Sequence, residues 1–117
     1  MSEHRFCYLF EVNEADLAAY QRAHDTIPEA VPAAMRRAGV TSYSLFRRGT
    51  LVVAFGTCSS PVDVVFARLD ADPDNAAWSG RIRRMMPDPL EPDGSLRFAA
   101  EIWRMPVGPP VCRDTAS

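Results

Sequence analysis

The constraint that narrows the fold most is a pair of β-prone runs, Val40 to Arg47 and Thr50 to Cys58, separated only by Arg48 and Gly49. Two such runs joined by so short a glycine-containing turn pair as an antiparallel hairpin, because no helix or crossover fits between them. What flanks the hairpin then sets the topology. Before it, Arg5 to Val12 places Phe6, Tyr8 and Phe10 on one parity against Cys7 and Leu9 on the other, which predicts a strand covered on both faces. Asn13 follows as an N-cap, Glu14 and Asp16 complement the helix dipole, and Leu17, Tyr20 and His24 recur at helical spacing. Thr26 and Pro28 open a second helical piece that Gly39 stops, so the first helical region is broken in two.

After the hairpin, Ser60 and Pro61 begin a helix that runs through Leu69, and Asp70 to Asp74 reads as a polar loop. Asn75 then caps a helix through Met86 that Pro87 ends, Pro87 to Ser95 is a connector, and Leu96 to Met105 is the last strand. The order β-α-β-β-α-β is the α+β ferredoxin-like arrangement, a four-stranded antiparallel sheet with its helices on one face. The face left over is not cleanly polar, since strand one offers Cys7 and Leu9 and the last strand carries apolar residues on both parities. Such a face meets another subunit or lines a cavity, which predicts a homodimer.

The chain has 117 residues, of which 47% are hydrophobic. That suits a single domain, expected over residues 1–106, with a loose tail over 107–117 where apolar content falls away. Thirteen basic residues against fifteen acidic give a net charge of -2, so the counterion-release term behind nucleic-acid binding has no evident source. Every basic residue is an arginine, which excludes lysine Schiff-base chemistry. The three cysteines, Cys7, Cys58 and Cys112, are widely spaced and fit neither a disulfide framework nor paired zinc ligands, so no metal is expected. The apolar stretch of MSEHRFCYLF is too short for a signal peptide, and no run approaches a membrane span. The expected setting is cytoplasmic, with neither nucleic acid nor membrane as a partner.

Tyr20 and His24 stand four apart, so they share one helix face with Leu17 and point inward. Imidazole is the side chain best matched to proton transfer near neutral pH; a core histidine satisfied by a tyrosine or by backbone is the other reading. Tyr43 can present a hydroxyl from the second strand, and Trp78 an apolar face to a ring-shaped ligand, although both are residue types that also fill cores. Glu101 lies in an otherwise apolar run and reads either as a catalytic carboxylate or as the partner of an arginine across the sheet. Arg81, Arg83 and Arg84 read as a solvated helix face.

Taken together these residues resemble the L-rhamnose mutarotase family. The likeness rests on a first strand ending in Val12, on Tyr20 and His24 within AAYQRAH, and on Tyr43 nineteen residues later within GVTSYSLF. Trp78 in WSGRIRRMMP and the closing AAEIWRMP extend it over Arg5 to Pro106. The resemblance implies a dimeric α+β barrel that interconverts the anomers of a deoxy-sugar with no cofactor or metal. His24 matches the proton donor, and Tyr20, Tyr43 and Trp78 match sugar-contacting positions. Two positions depart from the pattern: Ser79 stands where the family has a second tryptophan, and the family's Trp-Pro-Glu reads Ile27, Pro28, Glu29. The expected function is a mutarotase-like isomerase of a deoxy-sugar or related cyclic hemiacetal working through His24. The alternatives are a cyclase or isomerase of a larger metabolite on the same fold, or a non-enzymatic binding module.

Overall fold

The computed structural model describes residues 3–108. The tail expected at 107–117, with Cys112, lies from residue 109 onward outside the described residues. Strand β1 spans His4–Glu11, and a 3-10 turn at Glu14–Asp16 leads into α1, Leu17–Asp25. Helix α2 covers Ala30–Ala38, the hairpin strands β2 and β3 cover Val40–Arg48 and Leu51–Cys58, and α3 and α4 cover Val62–Ala71 and Pro73–Arg83. The broken first helical region is observed, and Gly39 closes α2 at φ 111°, a backbone conformation that favours glycine.

The hairpin forms with Arg48 opposite Leu51, so its two-residue loop is Gly49-Thr50, one position later than expected, with Gly49 at φ 59°. Strand β3 lies between β1 and β2 and pairs antiparallel with both. Cys58 closes the buried face of this central strand and donates from Sγ to the Ser60 carbonyl at 3.2 Å.

Two details of the sequence reading are corrected. Helix α4 is capped by Asp72, whose carboxylate accepts from the backbone of Asp74 and Asn75, with Pro73 in the first turn. Asn75 is instead buried inside that helix and donates to the Leu69 carbonyl at 3.1 Å. Arg37 of α2 reaches Asp72 at 2.9 Å and Asp74 at 3.2 Å, and this pairing holds the Asp72 carboxyl below its usual range. A surface ion pair of this kind fixes orientation more than it stabilises.

The second correction concerns the fourth strand, which is not formed: the sheet has three strands. Residues around Phe98 touch the free edge of β1 through Leu9 N–H to the Arg97 carbonyl at 3.2 Å and Ala99 N–H to the Cys7 carbonyl at 2.8 Å, with Tyr8 opposite Phe98. Continued in that register, Ile102 would face His4, the first residue of β1, so the rest of the expected strand has no partner on this sheet. Glu101 does meet Arg5, at 2.9 Å, which settles it as an ion-pair partner. Beyond it the chain leaves the sheet, with Ile102 and Trp103 exposed.

The buried face of the sheet explains where a site can form. Phe6 and Tyr43 flank Gly56, and Tyr8 and Leu45 flank Ala54. A glycine and an alanine on the central strand leave a trough into which the aromatic side chains of the outer strands lean. A Cβ at position 56 would collide with the Ser42 carbonyl oxygen and the Phe6 ring, so the trough requires glycine there. Helices α2, α3 and α4 pack on one another above this trough.

Candidate functional site

The space between the trough and the helices is a cavity of about 600 Å³. The sheet supplies Phe6, Tyr8, Phe10 and Tyr43, α1 supplies Tyr20 and His24, and α4 supplies Trp78. All four residues singled out from the sequence, Tyr20, His24, Tyr43 and Trp78, therefore line one cavity.

On α1 the four-residue spacing stacks the Tyr20 and His24 rings with centroids 4.3 Å apart. Nδ1 of His24 lies 2.8 Å from the backbone carbonyl oxygen of Tyr20. A carbonyl can only accept, so Nδ1 carries the proton of that hydrogen bond, and Nε2 is the ring nitrogen left for a ligand. Trp78 meets the same imidazole edge to face at 5.3 Å, and the guanidinium of Arg81 lies 5.5 Å from the indole centroid. Two helices thus hold the histidine ring between a phenol and an indole.

Across the cavity the hydroxyls of Tyr8 and Tyr43 lie 2.6 Å apart. Tyr8 is the residue the sequence reading took only as a strand aromatic; the one available signal was a hydroxyl within a row otherwise made of phenylalanines. Burial pushes the Tyr8 phenol above its ordinary value, opposed in part by the bond to Tyr43 and by the charge of Arg83. Burial raises Tyr43 further, and the neighbouring Tyr8 adds to it. Tyr20 is also raised by burial, and its hydroxyl is enclosed without any hydrogen-bond partner. Arg83 faces the cavity, so the arginine run is not one solvated face: Arg81 lies over Trp78, Arg83 lines the site and Arg84 is exposed. Ile27 and Ser79, the two positions that depart from the family pattern, also line the cavity.

Among the described residues no group of three His, Cys, Asp or Glu side chains could hold a metal ion, and no helix is long and apolar enough to cross a membrane. What the arrangement can do is move protons: it offers one imidazole nitrogen and several neutral phenols in a largely apolar enclosure.

Fold and site together define a ferredoxin-like α+β protein with a histidine–tyrosine cavity under its helices. A model of the L-rhamnose mutarotase family matches residues 5–105, and the chain belongs to that family. Among solved structures it is similar to an L-rhamnose mutarotase from Formosa agariphila, at 20% identity and a TM-score of 0.68, covering 88% of this chain and 99% of that one. It is also similar to a Mycobacterium tuberculosis protein, at 16% identity and a TM-score of 0.59 over 88% and 98% of the two chains. A third likeness is to the tetracenomycin F2 cyclase of Streptomyces glaucescens, described as a type-II polyketide cyclase, at 18% identity and a TM-score of 0.57 over 90% and 99%. No protein of curated function matches in sequence. At these identities the structural likenesses establish the fold.

The chain's three tyrosines are Tyr8, Tyr20 and Tyr43, so tyrosinate absorbance reports on this cavity alone. All three have folded values above the ordinary 10.0. The preference of the folded state for neutral phenols is complete below that pH and is lost as pH rises through the folded values. An alkaline titration is therefore expected to show less than half of the tyrosine ionised at pH 10 in the folded protein, and stability is expected to fall above it. Half-ionised tyrosine at pH 10 in a folded sample would contradict this.

Proposed function

We propose that the protein is a cofactor-independent isomerase that interconverts the anomers of a deoxy-sugar or related cyclic hemiacetal, with His24 as the acid/base. The observation that carries this reading is the His24 imidazole held through Nδ1 by the Tyr20 carbonyl at 2.8 Å, with Nε2 left free at a cavity. Anomerisation needs a proton removed from the anomeric hydroxyl while another reaches the ring oxygen. His24 Nε2 takes the first as the ring carbon–oxygen bond breaks and is the proton donor on the return, when the ring closes; a phenol of Tyr20 or Tyr43 exchanges the second with the ring oxygen. The open aldehyde rotates, the carbonyl is attacked on its other face, and both protons return. Tyr20 and Tyr43 hold sugar hydroxyls in this scheme, and Trp78 lies against the apolar side of the ring. Membership of the L-rhamnose mutarotase family supports the same reading. A core-filling role for His24 fits poorly with a cavity of about 600 Å³ beside it.

The test is NMR exchange spectroscopy of L-rhamnose anomers. Wild-type protein is expected to accelerate exchange, and His24→Gln to lose at least about a hundredfold of that acceleration with its fold intact. Equal acceleration by the variant would remove His24 from the reaction.

The partner in this reading is a second copy of the chain. The sheet face away from the helices carries Cys7, Leu9, Val53 and Phe55 in register, with Phe46 beside them at 56% exposure. Just past the β1 edge, Ile102 is 95% exposed and Trp103 72%. An apolar face continuous with an apolar arm suits a second such surface of the same kind. Sedimentation at micromolar concentration is expected to give a dimer that Phe46→Arg together with Trp103→Asp converts to monomer. A monomeric wild type would overturn the pairing.

A further inference from the structure

The wall of the cavity says which kind of hemiacetal it suits. Of its lining residues that are at most a tenth exposed, only Tyr8, Tyr20 and Asn75 carry polar side-chain groups; the rest include Phe6, Phe10 and Leu69. The Tyr8 hydroxyl is bonded to Tyr43 at 2.6 Å, and the Asn75 amide donates to the Leu69 carbonyl at 3.1 Å. Among the described residues the Tyr20 hydroxyl is the one buried side-chain polar atom with no partner. Buried polar groups find partners as a rule, so this hydroxyl marks where a ligand oxygen belongs. Of the charged lining residues Arg36 and Asp70 are exposed and Arg83 is half-buried.

A free hexose carries an oxygen on nearly every carbon, and each one taken from water without a partner is costly. Among the described residues the most buried part of the wall offers the Tyr20 hydroxyl, the one O–H that the Tyr8–Tyr43 pair leaves over and, beside them, the His24 ring nitrogen, fewer groups than a hexose has oxygens. At about 600 Å³ the space would hold roughly twenty waters at bulk density, far more than one hexose ring displaces. Ser79, next to Trp78 and also on the wall, is too short to close it.

From these observations we infer that the substrate carries an apolar ring system fused or joined to its hemiacetal: the ring body lies against the phenylalanine wall, and the reacting oxygens face Tyr20 and His24. This rests on the isomerase reading above and names its substrate class.

The probe is 2-hydroxychroman, a benzo-fused cyclic hemiacetal, compared with L-rhamnose by ligand-observed NMR. Hydroxychroman is expected to bind at least about tenfold more tightly than L-rhamnose, as burial of a further aromatic ring dictates. Tyr20→Phe should weaken it several-fold. Ser79→Trp should abolish its binding by filling the cavity; circular dichroism confirms that each variant is folded. L-rhamnose binding as tightly as hydroxychroman would overturn the inference, as would hydroxychroman binding that is indifferent to a folded Ser79→Trp. The two claims fail separately. Hydroxychroman that binds as expected, with neither hemiacetal exchanged faster, keeps the ligand class and removes the isomerase reaction. Accelerated L-rhamnose exchange without hydroxychroman binding does the reverse.

Discussion

The structure depends on two small residues in the middle of its sheet. Ala54 and Gly56 occupy the buried face of the central strand, and the outer strands send Tyr8, Phe6 and Tyr43 over them. Larger side chains there would fill the trough and convert the space under the helices into ordinary core. With them small, the Phe6 and Tyr43 rings approach to 6.1 Å across the central strand, and the hydroxyls of Tyr8 and Tyr43 meet. The aromatic floor of the cavity thus follows from the sheet register together with a central strand small enough at Gly56 for the Phe6 ring to lie against it.

Above that floor the helices supply the chemistry. A single hydrogen bond within α1, from His24 Nδ1 to the Tyr20 carbonyl, sets the orientation and the neutral tautomer of the imidazole. Trp78 of α4, held against Arg81, closes the other side of the ring. A histidine so placed has its Nδ1 committed to the backbone while its ring lines the cavity. The phenols around it remain protonated in the folded state because burial disfavours their ions. As neutral phenols they donate hydrogen bonds to a ligand, and a phenol that passes its proton to the ring oxygen regains it when the ring closes.

Much of this was legible in the chain, and what was not has identifiable physical causes. Helical spacing paired Tyr20 with His24, and the short turn after Arg48 placed the hairpin. Tyr43 and Trp78 could be named because their side chains combine apolar area with a function a ligand can use. Tyr8 was hidden by its neighbours, since periodicity separates buried from exposed positions and does not tell a cavity wall from a packed core. Arg83 was hidden in the same way by Arg81 and Arg84, which share its charge but not its direction. Asn75 was misread because Asp72 also caps, and Pro73 behind it favours the earlier start. The last strand failed for a longer-range reason: only the stretch around Phe98 bonds to the edge of β1, and no local pattern records how much of a β-prone run will find a partner strand. The cavity volume depends on positions far apart in sequence, such as Phe6 on the sheet and Ser79 on α4.

The central claim is that His24 presents an unprotonated Nε2 to the cavity. Nitrogen NMR of the neutral imidazole tests it most directly, with His4, the one other histidine, removed by His4→Gln so that a single ring is observed. The account predicts the tautomer protonated at Nδ1, with an Nε2 signal that moves when 2-hydroxychroman or L-rhamnose is added. A ring protonated at Nε2, or an Nε2 signal indifferent to both, would contradict it.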